Sequence, residues 1–216
     1  MFGDAILVPP GGDASERAIG PLPGSAGQLT DADIRAALSV GQPARAALGD
    51  TVLEEVECWR GYVRADYVCL SGNALSIIEI KSDRDTLRRF PEQVRVYSSF
   101  ADRVTLVVGW TLAARALRIA PVWWDVLLAE RNESSSVRFV ALRDGVRNPD
   151  IGTAGLVAML PIDQVQRLAR YAGLRTKTRS RELRRQVAEF VDHEDLRTAV
   201  RDWVACLSAQ RAGTPS

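Results

Sequence analysis

The sequence predicts an α/β protein with a mixed β-sheet and a helical C-terminal extension. Three strand-like segments fill residues 51–81, and a Ser-Gly-Asn turn typical of a hairpin joins the last two. A helical segment follows, and then a continuous apolar run at 103–109, which is typical of a strand buried on both faces. From Pro161 onward, apolar residues recur at spacings of three and four. The predicted core order is therefore helix, three strands, helix, strand.

Local composition justifies each element in turn. Residues 1–28 hold six glycines and four prolines, which predicts a flexible arm. Thr30 is placed to cap a first helix, whose acidic first turn suits the positive end of the helix dipole. Pro91 suits the first turn of the helix after the third strand, where proline is tolerated. The predicted strands are 51–58, 62–70, 74–81, 103–109, 123–129 and 137–142, and the later helices are 112–117, 162–172, 181–191 and 194–209.

Bulk properties narrow the class of protein. The 216 residues, 46% of them hydrophobic, suit a sheet domain at 29–150 with a helical extension at 160–211. The formal net charge of +1 indicates no partner by itself. Three cysteines without close spacing argue against a disulfide framework or a zinc site. No apolar run is long enough to span a membrane, so we expect a cytoplasmic protein with no membrane partner.

A carboxylate and a rare lysine share one strand face. Of the 28 basic residues, only Lys81 and Lys177 are lysines, and Lys81 stands two residues after Glu79. Successive strand residues alternate faces, so Glu79 and Lys81 point the same way. Across the hairpin, Asp66 on the neighbouring strand is expected to converge on Glu79. Two such carboxylates suit Mg²⁺ or Mn²⁺, and an adjacent ammonium can stabilise a phosphate or orient an attacking water.

Asp66 followed by Glu79-x-Lys81, on the second and third strands of this core, resembles the PD-(D/E)XK nuclease superfamily. Ala65 stands where a proline is usual in that motif. A longer pattern through residues 30–130 resembles a bacterial family of largely uncharacterised PD-(D/E)XK-like proteins, similar in outline to MmcB-like DNA-repair endonucleases. The resemblance implies a restriction-endonuclease-like fold and a metal-dependent nuclease. The expected cofactor is Mg²⁺ or Mn²⁺, and DNA is the expected nucleic-acid partner.

The resemblance also implies roles for individual residues. The implied metal ligands are Glu55, Asp66, Glu79 and the carbonyl of Ile80. Lys81 would assist the attacking water and offset phosphate charge. Glu54 and Glu57 are alternatives to Glu55 for the upstream carboxylate, since all three lie on the first predicted strand.

A polar and an aromatic residue stand four apart on the helix after the third strand. Gln93 and Tyr97 resemble the Q-x-x-x-Y element of RecB-type nucleases. That resemblance implies that they support the catalytic site or the substrate strand. The same spacing is also ordinary on a packing helix, so both interpretations stay open.

Basic residues supply the candidate nucleic-acid contacts. Arg64 precedes Asp66 closely enough to bind phosphate or to pair with an acid of the site. Residues 167–185 hold eight basic side chains and one acidic one, and they faintly resemble a SAP-like helix–extension–helix pattern. The spacing places three of these arginines on one helical stripe expected to contact phosphates: Arg181, Arg184 and Arg185. A solvated charged face is the alternative.

A second function class fits the same residues. Fold does not fix function, so a catalytically inactive nucleic-acid-binding or partner-binding protein could keep this fold. DNA or RNA, single or double strand, endonuclease or exonuclease action, and the oligomeric state stay open at this stage.

Overall fold

A computed structural model describes residues 27–40 and 50–212, and within them an open six-stranded mixed sheet carries helices on both faces. The strands are β1 Thr51–Cys58, β2 Val63–Ser71, β3 Ala74–Lys81, β4 Arg103–Gly109, β5 Asp125–Arg131 and β6 Val137–Arg143. The helices are α1 Asp31–Val40, α2 Phe90–Ser98, α3 Trp110–Ile119, α4 Thr153–Met159, α5 Ile162–Tyr171, α6 Ser180–Phe190 and α7 His193–Ala212. Most of the predicted N-terminal arm, residues 1–26, lies outside the described residues.

The strands lie side by side in chain order, from β1 to β6. β1, β2 and β3 form an antiparallel meander, β3, β4 and β5 pair in parallel, and β5 and β6 are antiparallel. The predicted hairpin and the predicted parallel pairing of the third and fourth strands are therefore confirmed. A parallel pair needs a crossover connection, and the segment containing α2 provides it between β3 and β4.

Two hydrophobic cores lie on the two sides of the sheet. The smaller one packs Leu29, Ile34 and Leu38 at α1 against apolar side chains of β2, β3 and β4. The main core contains residues of α2, α3 and α4, and α6 and α7 add their own apolar side chains to it. The helical C-terminal region thus shares its core with the sheet. Among the described helices, none combines the length and apolar character needed to cross a membrane.

The structure departs from the predicted elements in several places, and both α3 and α7 extend at least two residues beyond a predicted end. α4 was not predicted, because its seven residues are too few to show a clear apolar period. β5 begins at Asp125 rather than at residue 123, since Trp124 lies in a turn and is fully buried beside α2.

Asp102 fastens the helical region to the sheet. Its buried carboxylate accepts the Leu75 backbone N–H at 2.9 Å and the guanidinium of Arg197, from α7, at 2.6 Å. Arg147 donates at 2.9 Å to Oδ1 of Asp102, the oxygen that also accepts from Arg197. Because Arg197 is only 8% exposed, its charge needs this partner.

We expect Asp102→Asn to destabilise the fold by about 2–4 kcal/mol, because it removes the buried carboxylate that pairs with Arg197 and leaves Glu194, which is 65% exposed and 3.3 Å away, as the remaining acidic partner among the described residues. The measurement is urea unfolding followed by far-ultraviolet circular dichroism. Asp144→Asn is the matched control, since Asp144 is exposed and should cost less than about 0.5 kcal/mol. Equal unfolding midpoints for the two variants would contradict this role of Asp102.

Candidate functional site

The carboxylate of Glu79 lies at the centre of a buried polar cluster. Glu79 is 1% exposed, and its Oε1 accepts hydrogen bonds from Lys81 Nζ and Gln93 Nε2, both at 2.5 Å. The Tyr97 hydroxyl lies 2.8 Å from Oε2. Alternation along β3 places Lys81 beside Glu79, and the four-residue spacing on α2 places Gln93 and Tyr97 above it. The structure therefore brings four of the predicted site residues together.

Asp66 joins this cluster through the backbone. The β2–β3 pairing begins at Tyr67 and Ile78, so the two strands are unpaired at the Asp66 end. There the Asp66 Oδ2 accepts the N–H of Ile80 at 2.7 Å. Asp66 is thus held against the middle residue of the Glu-x-Lys motif.

Sequence reasoning missed Arg35 of α1, which neutralises Asp66. One guanidinium nitrogen of Arg35 donates to Asp66 Oδ1 at 2.5 Å and to Glu55 Oε1 at 2.7 Å. Arg35 Nε donates to Asp31 at 2.7 Å, and the guanidinium lies 5.2 Å from the centroid of the Tyr67 ring. The only signal in the sequence was the Asp31–Arg35 spacing of four on a helix. Its approach to Asp66, 31 residues away, depends on the fold.

A local distortion of β1 brings Glu55 to this arginine. Glu55 has a φ of 53°, which is uncommon for a residue other than glycine, and the β1–β2 pairing passes over Glu55 and Asp66. Glu55 also lies 3.6 Å from Arg64, whereas Glu57 approaches Arg64 only at 4.0 Å. Of the three candidate upstream glutamates, Glu55 is therefore the one that shares a cation with Asp66.

Burial raises the pKa of both central carboxyl groups. For Glu79, burial is the largest cause and the Asp66 charge adds to it, so that the pKa rises to about 7 despite the opposing effect of Lys81. Burial also raises the pKa of Asp66, against the Ile80 N–H and the charge of Arg35. Burial and the adjacent Glu79 raise the pKa of Tyr97, which stays a neutral hydroxyl. Because negative charge on these two buried carboxyl groups is unfavourable, the cluster would be stabilised by added positive charge.

Each predicted carboxylate ligand is paired with a cation of the protein itself. Arg35 bridges Glu55 and Asp66, and Lys81 neutralises Glu79. Ile80 supplies its N–H to Asp66. Across residues 27–40 and 50–212, no three His, Cys, Asp or Glu side chains are grouped so as to hold a metal ion.

The predicted stripe of three arginines on α6 is not a uniform solvent-facing surface. Arg184 donates to the carbonyls of Val157 and Leu160 at 2.6 and 2.9 Å, so it fastens α6 to the end of α4. Arg185 pairs with two glutamates of its own helix, and Arg181 is exposed. Arg184 therefore differs from Arg181 and Arg185 in its partners, because helical spacing shows which residues share a face but not what covers that face. Phosphate contacts by the three arginines stay a prediction.

Most of this chain is similar to one family of bacteriophage proteins. A family model described as bacteriophage P4 protein cII matches residues 31–209. No curated protein matches the chain. Among solved structures, a protein of unknown function from Silicibacter pomeroyi is similar at 19% sequence identity and a TM-score of 0.34, covering 56% of this chain and 77% of that one.

The raised pKa of Glu79 predicts a specific dependence of stability on pH. Between about 4.5 and 7 the folded state binds more protons than the unfolded state, so the free energy of unfolding should fall as pH rises. The fall due to this group should be at most roughly 3 kcal/mol. Glu79→Gln stays uncharged and should flatten the dependence, whereas the exposed Glu133→Gln should keep it. Urea unfolding between pH 4.5 and 8 tests this, and parallel curves for wild type and Glu79→Gln would contradict it.

Proposed function

This chain belongs to the bacteriophage P4 protein cII family, and we propose that it is a divalent-metal-dependent nuclease of the PD-(D/E)XK type that hydrolyses phosphodiester bonds in DNA. The family description names no reaction, so the proposal depends on the site. The observation that carries it is the placement of Asp66 on the Ile80 N–H beside Glu79 and Lys81, under Gln93 and Tyr97. The strand order and the crossover through α2 support a restriction-endonuclease-like core.

The donor set fits a hard divalent cation. Asp66, Glu79 and the Ile80 carbonyl would hold it, because Mg²⁺ and Mn²⁺ prefer oxygen ligands. Burial and mutual repulsion raise the pKa of Glu79, and a nearby cation would relieve both effects. The buried Gln93 Oε1 has no hydrogen-bond partner among the described residues, so it can accept a hydrogen bond from a water at the site. When bound, the cation supplies Lewis acidity and lowers the pKa of its water.

The other side chains of the cluster have separate roles in this proposal. The Nζ atom of Lys81 lies 2.5 Å from Glu79 Oε1. From this position Lys81 can offset the negative charge that develops on the phosphate during hydrolysis. Gln93 and Tyr97 hold Glu79 in one orientation, because three hydrogen-bond contacts converge on its two oxygens. Asp66 is positioned by a backbone N–H that cannot rotate away, so its carboxylate is preorganised.

Cleavage of circular DNA tests the proposal directly. The purified chain should nick or linearise single- or double-stranded circles in the presence of Mg²⁺ or Mn²⁺, and EDTA should stop the reaction. Asp66→Asn and Glu79→Gln should each reduce the rate by at least about a hundredfold, and the double variant should lose little more, because the residues act as one unit. Equal trace activity in the wild type and the variants would assign the cleavage to a contaminant.

Lys81→Arg should be nearly as inactive as Lys81→Ala. A planar guanidinium cannot replace a compact ammonium at 2.5 Å from a buried carboxylate without displacing its neighbours. Lys177→Arg is the matched control and should keep wild-type activity, since Lys177 lies outside the cluster. Full activity in Lys81→Arg would show that Lys81 supplies only diffuse positive charge.

The Arg35 bridge favours a second candidate function. A guanidinium that pairs with Glu55 and Asp66 could permanently replace a cation, leaving a nucleic-acid-binding or partner-binding protein that has the fold and no catalysis. The two functions differ in whether Arg35 exchanges with a metal. The Arg35 side chain is 20% exposed, which leaves it able to move into solvent.

Arg35→Gln separates the two candidates through metal binding. If the site takes a cation, removal of the competing guanidinium should tighten Mn²⁺ binding by at least about fivefold, the equivalent of roughly 1 kcal/mol. Arg35→Lys keeps a positive charge and should bind Mn²⁺ less tightly than Arg35→Gln. Isothermal titration calorimetry measures both, and the absence of Mn²⁺ binding in all three proteins would favour the inactive scaffold.

A further inference from the structure

The turn between β1 and β2 holds an unusual backbone. Trp59, Arg60 and Gly61 are consecutive residues with positive φ values of 50°, 62° and 81°. Two of them are not glycine, and such left-handed residues persist only where the surrounding structure holds them. This turn leads directly to Tyr62.

Arg95 of α2 supports the aromatic side chains of this turn. Its guanidinium carbon lies 4.7 Å from the centroid of the Trp59 ring and 5.8 Å from that of Tyr62. Trp59 packs partly against the main core, which fixes one side of the arrangement. Tyr62 is 59% exposed, so a ring held in place by the protein presents most of its surface to solvent. Such a ring is suited to stacking.

Tyr62 immediately precedes β2, the strand that carries Asp66. Asp66 follows it by four residues, about 13 Å along an extended chain. Between them, the Arg64 carbonyl lies 3.0 Å from the same Tyr97 hydroxyl that contacts Glu79. A strand of nucleic acid whose phosphate reaches Asp66 and Glu79 can therefore also reach Tyr62.

The charges around Tyr62 nearly cancel. Arg95 pairs with Glu92, and Arg64 makes only long, exposed pairs with Glu55 and Glu57. Arg60 forms no hydrogen bond or ion pair with the described residues. Burial lowers the pKa of Arg184, and the nearby charge of Arg60 lowers it further. Stacking should therefore contribute more to binding here than neutralisation of phosphates.

We propose that Tyr62, supported by Arg95 and Trp59, stacks an unpaired base, so that the candidate site takes single-stranded nucleic acid. A base inside a duplex already has both faces stacked, whereas a single strand offers free faces to aromatic side chains. The assignment of the strand as a substrate rests on the proposed nuclease function. The stacking surface itself can be tested without any reaction.

The test is binding of fluorescein-labelled oligothymidine to the full chain in EDTA, measured by anisotropy. Tyr62→Ala should weaken binding by about fivefold or more, the loss expected for one stacked base, and Tyr62→Phe should stay within about twofold of wild type. Phe190→Ala is the matched control, since Phe190 is an aromatic residue of similar exposure, 62%, at the end of α6 and outside residues 167–185, and this change should leave affinity unchanged. Oligouridine in a second arm distinguishes RNA from DNA, and a hairpin duplex should bind more weakly and not respond to Tyr62→Ala.

Several results would overturn the proposal. Equal affinity of wild type and Tyr62→Ala, or tighter binding of the duplex than of the single strand, would do so. An equal loss in Tyr62→Phe and Tyr62→Ala would assign the contact to the hydroxyl instead of the ring. Loss of binding in Tyr62→Ala without metal-dependent cleavage by the wild type would support the stacking surface while rejecting the nuclease, so the two failures are distinguishable.

Discussion

Burial of the Glu79 carboxylate is the constraint on which the local architecture depends. A buried charge is costly unless it is paired and hydrogen-bonded, and Glu79 meets this need with donors from two elements. Lys81 comes from its own strand, while Gln93 and Tyr97 require α2 to lie over β3 in one rotation. Tyr97 also contacts the β2 backbone and stacks on Trp124, so one carboxylate ties together β2, β3, α2 and the turn before β5.

The two cations of the site are not equivalent. Lys81 pairs with a carboxylate that is almost completely buried, and its own side chain is 12% exposed. Arg35 belongs to a separate helix on the other core, and one of its two central partners, Glu55, is 48% exposed. The Glu79 half of the site is therefore a fixed part of the fold, whereas the Asp66 and Glu55 half is held by a side chain that solvent can reach.

The strands with long buried runs were predictable, and the short helix α4 was not. β3 and β4 begin and end at the predicted residues, because burial extends over most of their seven or eight positions. The bounds of β1 were also predicted, but its distortion at Glu55 was not. The seven residues of α4 make only about two helical turns, too few to repeat a helical apolar period, and its omission had a consequence at Arg184. The carbonyls that Arg184 binds belong to Val157 and Leu160, so without α4 the sequence offered no partner for Arg184 other than phosphate or solvent.

The sequence by itself determined which residues share a face. Period two put Glu79 and Lys81 together on β3, and a spacing of four put Gln93 and Tyr97 together on α2, because these periods are properties of the local backbone. Only the tertiary structure decided what meets those faces. Arg35 reaches Asp66 across 31 residues, and a left-handed residue at position 55 turns one glutamate toward it. Such contacts depend on how separate elements pack, and no local period records that packing.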